Sequence, residues 1–330
     1  MSVELHGTVM QRRYQIDEET KVGEARRDAV QLAQAHGLDA TMSGRVAIVA
    51  TELANNLLRH GGGGELLLQP IAAANGTLIE LLAIDRGKGM PDVERCMNDG
   101  YSTGGTAGTG LGAIRRLAVE FDIYSVMDAG TVVLARVGSS AAARFGAVSV
   151  TMRGESECGD SWRLAIGDGM TAAIVVDGLG HGPLAAVAAQ RSTAAFGEAP
   201  FDAPREVIER SHRYMSGTRG AAAACANIDP KGLLRYAGVG NISGSMVTAD
   251  KSQGLASHNG TLGLHMPRLQ QFEYQRAPRA KLVMHSDGIS ARWNLARQQD
   301  LLHRHPAIIA AVLYRDHARA RDDATILVLD

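Results

Sequence analysis

Aromatic residues are scarce in this chain: Phe, Trp and Tyr together make up 4% of 330 residues. So thin a supply excludes the stacked base platforms of single-stranded nucleic-acid binders. An excess of one charge is also lacking. The formal net charge is −1, with −4 over residues 1–140 and +3 over the rest. Neither half offers the field that a polyanion or a membrane surface requires. No run of about 18 apolar residues occurs, so no transmembrane helix is expected. No basic segment followed by an apolar core stands at the N-terminus, so no secretory signal is expected. Cysteine is sparse and odd in number, with Cys96, Cys158 and Cys225 far apart. That suits a reducing cytoplasm, with thiols as small packing residues. The expectation is a cytoplasmic protein with no nucleic-acid or membrane partner. No HExxH pattern occurs, and His303 and His305, two apart on an expected helix, diverge.

What is present is glycine in one place. Residues 85–112 read DRGKGMPDVERCMNDGYSTGGTAGTGLG, with eight glycines. An apolar run over 78–84 leads in and a helical pattern over 111–121 leads out. Glycines opening a helix let backbone approach a ligand, and free N–H groups there suit phosphate. An ordinary surface loop would carry such glycines too. Upstream, helical spacing predicts helices over 21–36 and 41–60. On the second, Glu52 and Asn56 lie four residues apart on one face. The pair suits a general base and a metal ligand, or simply a solvated polar face. Strands are expected at 65–71, 77–84, 122–127 and 131–137, making a sheet covered by helices on one face. An edge strand is expected around 3–9.

The small, unpatterned stretch 138–146 is the expected linker between a first domain, 1–137, and a second, 147–330. In the second, strands are expected at 148–153, 162–166, 172–176, 221–228, 233–239, 243–248, 271–276, 281–285 and 325–329. Helices are expected at 183–196, 203–215, 295–304 and 306–314. Asp160, Asp177, Asp287 and Asp322 each stand at a strand end. Carboxylates gathered there are hard-oxygen ligands for Mg²⁺ or Mn²⁺, and would repel one another without a cation. Any one Asp-Gly is also an ordinary turn.

The runs GDSW, VVDGLGHGPLAA, MHSDGIS and RDDATILVL, in that order, resemble the SpoIIE-type branch of metal-dependent serine/threonine phosphatases, the type 2C phosphatases, and the RsbX-like members in particular. The resemblance implies an α-β-β-α sandwich holding two Mn²⁺ or Mg²⁺. It implies that Asp177 bridges the metals and Gly178 offers its carbonyl. Asp287 and Asp322 would be further ligands, Asp160 would complete the set, and Asp323 would support it. Two such metals about 4 Å apart lower the pKa of a bridging water and clamp phosphate oxygens. Arg153 is the candidate for phosphate capture. His181 is placed by the same motif as a proton donor or, preferably, as packing against the glycine turn.

ELANN, DRGKG, DGYST and GTGLG followed by RRL resemble the GHKL ATP-binding fold, and RsbT-like serine kinases most nearly. The resemblance implies an α/β sandwich that binds ATP and Mg²⁺. Asp85 would accept from the adenine amino group, helped by Gly87, with Gly89 letting the base approach. Asn56 would ligate Mg²⁺, and Gly108, Thr109, Gly110, Leu111 and Gly112 would hold phosphates. Glu52 would act as general base, with residues 90–107 as a lid. Lys88 and Asn55 depart from the usual proline and arginine.

The expectation for the whole is an α+β chain with opposed activities. One half phosphorylates Ser or Thr on a STAS-domain partner of the anti-sigma antagonist or stressosome type, in stress signalling. The other half removes that phosphate. The alternative is a first half that binds ATP to sequester a partner or gate the phosphatase, without transfer.

Overall fold

A computed structural model describes residues 3–7, 11–73, 76–97, 110–141, 143–266 and 268–330. The chain divides into two compact units: residues 11–143, and residues 144–330 together with 1–10.

Strand β1 (Glu4–Gly7) belongs to the second unit. In the first unit, β2 (Arg12–Ile16) leads to α1 (Glu19–Ala35) and α2 (Ala40–Arg59). Asp39 caps α2 by accepting from the Met42 N–H, satisfying one of the orphan donors at a helix start. Strands β3 (Gly64–Ala73) and β4 (Gly76–Ile84) follow, then the short α3 (Val93–Met97) and α4 (Gly110–Leu117). Strands β5 (Glu120–Val126) and β6 (Gly130–Val137) close the unit. The sheet is antiparallel in the order β2-β3-β4-β6-β5. The stripe Val46, Val49, Ala50, Leu53 and Leu57 of α2 is buried against Leu66, Leu68, Ile79, Leu81 and Val133 of the sheet. This is the one-faced helical cover expected from the spacing.

The second unit contains β7 (Phe145–Val150), β8 (Asp160–Gly167), β9 (Met170–Gly178), α5 (Pro183–Glu198) and α6 (Pro204–Tyr214). Then come β10 (Ala221–Ile228), β11 (Leu233–Val239), β12 (Ser243–Val247), β13 (Ser252–Leu255), β14 (Phe272–Gln275) and β15 (Lys281–His285). A 3-10 turn (Leu295–Arg297), α7 (Gln299–Leu302), α8 (Pro306–His317) and β16 (Ala324–Leu329) complete it. Two sheets result, β1-β8-β9-β10-β11-β14 and β13-β12-β15-β16-β7. Helices α5 and α6 cover the first and α8 the second, giving the expected α-β-β-α sandwich. Gly146 lies so close under α8 that a Cβ would stand 2.1 Å from the Ala307 nitrogen.

Four differences from the sequence reading have local causes. The edge strand near the N-terminus pairs with β8 (Glu4 opposite Ile166), so it serves the second unit's sheet rather than the first's. The helix expected over 111–121 stops at Leu117, and β5 begins at Glu120. Val119 N–H there donates to the Arg136 carbonyl, so ladder pairing overrides the helical spacing. The helix expected over 295–304 is broken into a 3-10 turn and α7. Strands β2 and β13 carried no readable pattern, since β13 is almost wholly exposed.

Candidate functional sites

In the first unit, α2 carries Glu52 and Asn56 on the face met by the start of α4. A Cβ on Gly110 would lie 3.2 Å from Glu52 Oε2 and 3.6 Å from Asn56 Oδ1. The structure therefore brings Gly110 to both polar side chains. Leu111 and Gly112 continue the same helix, with Gly112 buried. Gly108 and Thr109 lie outside the described residues, as do the DGYST segment and most of the expected lid.

Asp85 follows β4. Its Oδ1 accepts from the Gly87 N–H at 2.8 Å and the Thr131 N–H at 3.0 Å. The carboxylate thus ties its own turn to β6. The glycine run after α2 makes room for it: a Cβ on Gly61 would stand 2.8 Å from Asp85 Cβ. Gly87 packs on the same run, and its Cβ would meet the His60 carbonyl at 2.8 Å. Gly89 was expected to make room for a base. The structure gives a reason internal to the chain: φ is +67°, and a Cβ would stand 2.2 Å from the Val126 carbonyl oxygen.

A buried ionic group lies in the same sheet. Arg136, fully buried, donates to Glu80 and Glu120, each at 2.8 Å, while Gln69 donates to the other Glu80 oxygen at 2.6 Å. The sequence reading passed over these residues because they sit inside otherwise apolar strands.

In the second unit, β8 and β9 pair so that Asp160 stands directly opposite Asp177. Asp287 follows β15, and Asp322 precedes β16, its neighbour in the other sheet. The ends of both sheets thus bring together four aspartates distant in sequence. Ser286 joins the sheets: its hydroxyl donates to Asp160 Oδ2 at 2.6 Å and accepts from the Thr325 N–H at 3.0 Å. Asn241 donates to Asp287 Oδ2 at 2.7 Å. The same asparagine lines a cavity of about 380 Å³ with Ser243, Ser257, His285 and Trp293.

Electrostatics mark these carboxylates as crowded. Burial, then the charges of Asp287 and Asp322, pushes Asp177 up to about 7. Burial, then Asp177, holds Asp160 well above the carboxylate range. Burial, then Asp287, raises Asp322. Like charges disfavour one another's ionised forms, and a cation would relieve them. Among the described residues no group of three or more His, Cys, Asp or Glu side chains is arranged so that it could by itself hold a metal ion. The donor set fits a hard divalent cation whose shell is completed by carbonyl oxygen and water.

Asp323 plays another part. Buried, it accepts from the Met152 N–H at 2.7 Å and the Gly159 N–H at 2.8 Å, so its oxygens pin the β7–β8 connection. Gly178 is wedged: a Cβ would stand 2.2 Å from the Ala185 carbonyl, and its N–H donates to Gly159 O at 3.0 Å. His181 was expected to pack on the glycine turn. Instead its ring is exposed, with Nδ1 2.6 Å from Glu155 Oε1. Arg153 is exposed on the β7–β8 connection. Burial, then Asp160 and Asp323, pushes the Cys158 thiol up, which suits a packing residue rather than a nucleophile. Ser286 and Asn241 went unremarked in the sequence, although Ser286 stands inside the MHSDGIS run.

Comparison with known proteins agrees with both halves. Residues 16–137 match the model of the histidine kinase-like ATPase domain, and residues 167–330 match that of stage II sporulation protein E (SpoIIE). The serine/threonine-protein kinase RsbT of Bacillus subtilis (strain 168) is 33% identical over 100 residues, covering 30% of this chain and 75% of RsbT. A chain of the solved structure "The bacterial stressosome: a modular system that has been adapted to control secondary messenger signaling" is 28% identical, with TM-score 0.52. The match covers 56% of this chain and 97% of that one. A structure of RsbX with magnesium is 22% identical, with TM-score 0.49, over 55% of this chain and 92% of that one.

The fold and the residues at both sites define a chain that joins a kinase-type ATP-binding domain to a phosphatase-type domain. Through its first part it belongs to the RsbT-like histidine kinase-like ATPase family, and its second part matches the SpoIIE family model.

Proposed function

We propose that the chain is a partner-switching regulator that adds and removes phosphate at Ser or Thr of a STAS-domain partner. The observation that supports it best is the coexistence of two groups of reacting side chains in one chain. Glu52 and Asn56 stand under Gly110, and four aspartates close on the ends of two sheets. A purely structural relic would have no reason to keep either set.

In the first unit Glu52 takes the proton from the incoming hydroxyl as its oxygen attacks the γ-phosphorus, and the bond to the bridging oxygen breaks to release ADP. Nucleotide binding alone needs no base, so the retained Glu52 favours transfer over mere sequestration. Asn56 would hold Mg²⁺, Asp85 would meet the adenine amino group, and the start of α4 would offer N–H groups to the phosphates. In the second unit Asp177, Asp287, Asp322, Asp160 and the Gly178 carbonyl would hold Mn²⁺ or Mg²⁺. Bound there, the cations supply a water nucleophile active at neutral pH and charge to offset that on phosphate. Ser286 and Asn241 fix the directions of Asp160 and Asp287, and Asp323 fixes the connection beside them. The cavity at Asn241 offers room for residues flanking the phosphoserine.

Two measurements test the reading. With labelled ATP and a STAS-domain protein, wild type is expected to label the partner and Glu52→Ala to lose that label. Equal labelling by both refutes the base assignment. Asp177→Asn is expected to abolish Mn²⁺-dependent release of phosphate from a phosphoserine peptide, and undiminished release refutes the metal assignment.

A further inference from the structure

A phosphate monoester is a dianion, and the second site surrounds its place with aspartates. Cations held by those aspartates leave a need for an additional donor of positive charge. Arg153, the candidate from the sequence, has no contact among the described residues that ties it to the glycine turn after Asp177.

Arg219 has one. It precedes β10, the strand on which Ala221 pairs with Gly178 and Ala222 with Asp177. Its backbone is pinned on both sides. Thr218 Oγ1 donates to the Met215 carbonyl at 2.7 Å and accepts from the Gly220 N–H at 3.0 Å. The Gly220 carbonyl in turn accepts from the Leu179 N–H at 2.9 Å, directly beside Gly178. From this fixed point the side chain reaches over the turn. Its Nη1 lies 3.1 Å from where a Cβ on Gly180 would stand, and Gly180 has φ of +90°. Glycine there leaves the space to the guanidinium. Arg219 is exposed and makes no ion pair among the described residues, although Asp177 stands opposite Ala222 of its strand. An arginine left unpaired near a carboxylate keeps its fork of donors for another partner. The planar fork matches phosphate oxygens two at a time.

We propose that Arg219 is the phosphate-binding residue of the second site, holding the phosphoserine or phosphothreonine dianion against the Gly178–Gly180 turn. This rests on the phosphatase reading of that unit.

The test uses the full chain with Mn²⁺. Hydrolysis of a phosphoserine peptide and of p-nitrophenyl phosphate is followed for wild type, Arg219→Ala, Arg219→Lys and Arg153→Ala. Inhibition by inorganic phosphate and binding of Mn²⁺ by calorimetry are measured on each. Loss of a charge-assisted pair predicts that Arg219→Ala raises both KM and the phosphate inhibition constant by roughly tenfold or more. Lysine should restore part of the loss, with Mn²⁺ binding and melting temperature as in wild type. An active wild type with unchanged KM and phosphate inhibition in Arg219→Ala overturns the assignment, as does the same loss appearing in Arg153→Ala alone. A wild type without Mn²⁺-dependent hydrolysis overturns the phosphatase reading itself, and the proposal with it.

Discussion

Asp177 does more than any other single side chain in the second unit. It faces Asp160 across a strand pair and feels Asp287 and Asp322 from the other sheet. Its carboxyl is pushed from an ordinary carboxylate value to about 7. The folded state therefore binds a proton that the unfolded chain has already released. Stability from this group is fully present below pH about 4 and is lost as pH rises towards 7. Thermal melts of metal-free protein are expected to fall over that window, and Asp177→Asn to flatten the fall. A metal competes with the same proton, so Mn²⁺ affinity should rise with pH through 7. A metal-free melting temperature that rises between pH 4 and 7 would contradict the crowding described here. In the first unit, Gly110 is the matching residue. Gly110→Val would push branched carbons at the Glu52 carboxylate, 3.2 Å from the Cβ position. Nucleotide turnover is expected to drop at least tenfold with little change in melting temperature, because the site lies at a helix start rather than in the core.

At the scale of elements, buried polar joints hold the sheets in place. Arg136 of β6 reaches Glu80 of β4 and Glu120 of β5, all within one sheet. Arg136→Met would leave Glu80 buried without its cation. Breaking such a pair from one side costs about 3–5 kcal/mol, to be read from urea unfolding. Asp323, which holds two N–H groups of the β7–β8 connection, should cost about 3 kcal/mol as Asp323→Ala. The Arg136 joint was not legible in the sequence, and Asp323 was legible only as a support of the metal set, not as the anchor of the β7–β8 connection. Arg136 and Glu80 stand in apolar strands, and their pairing depends on register across three strands. The elements themselves were largely legible, because periodicity is local: α2 and β4 fell within a residue or two of the expected bounds. The edge strand β1 was legible as a strand but not in its partner. Four residues carry no mark of the distant β8 they pair with. The aspartates were legible through motif order. Their supports Ser286 and Asn241 were not, since each acts on a side chain more than 40 residues away.

For the whole molecule, the proposed function joins two opposed chemistries in one chain. No helix among the described residues is long and apolar enough to cross a membrane. On the proposed function, a single chain would set the two activities at a fixed ratio, so the phosphorylated fraction of the partner would depend on nucleotide and metal rather than on protein amount. The phosphate level on a STAS-domain partner should therefore reach a plateau that is insensitive to enzyme concentration. Chelating Mn²⁺ while keeping Mg²⁺-ATP should raise that plateau. The most direct measurement follows label on the partner over time with γ-labelled ATP, using wild type, Glu52→Ala and Asp177→Asn. The account predicts no label with Glu52→Ala, an intermediate plateau with wild type, and near-complete labelling with Asp177→Asn. Labelling by Asp177→Asn that stays at the wild-type plateau would contradict the claim that the two halves of the chain work against each other on one partner.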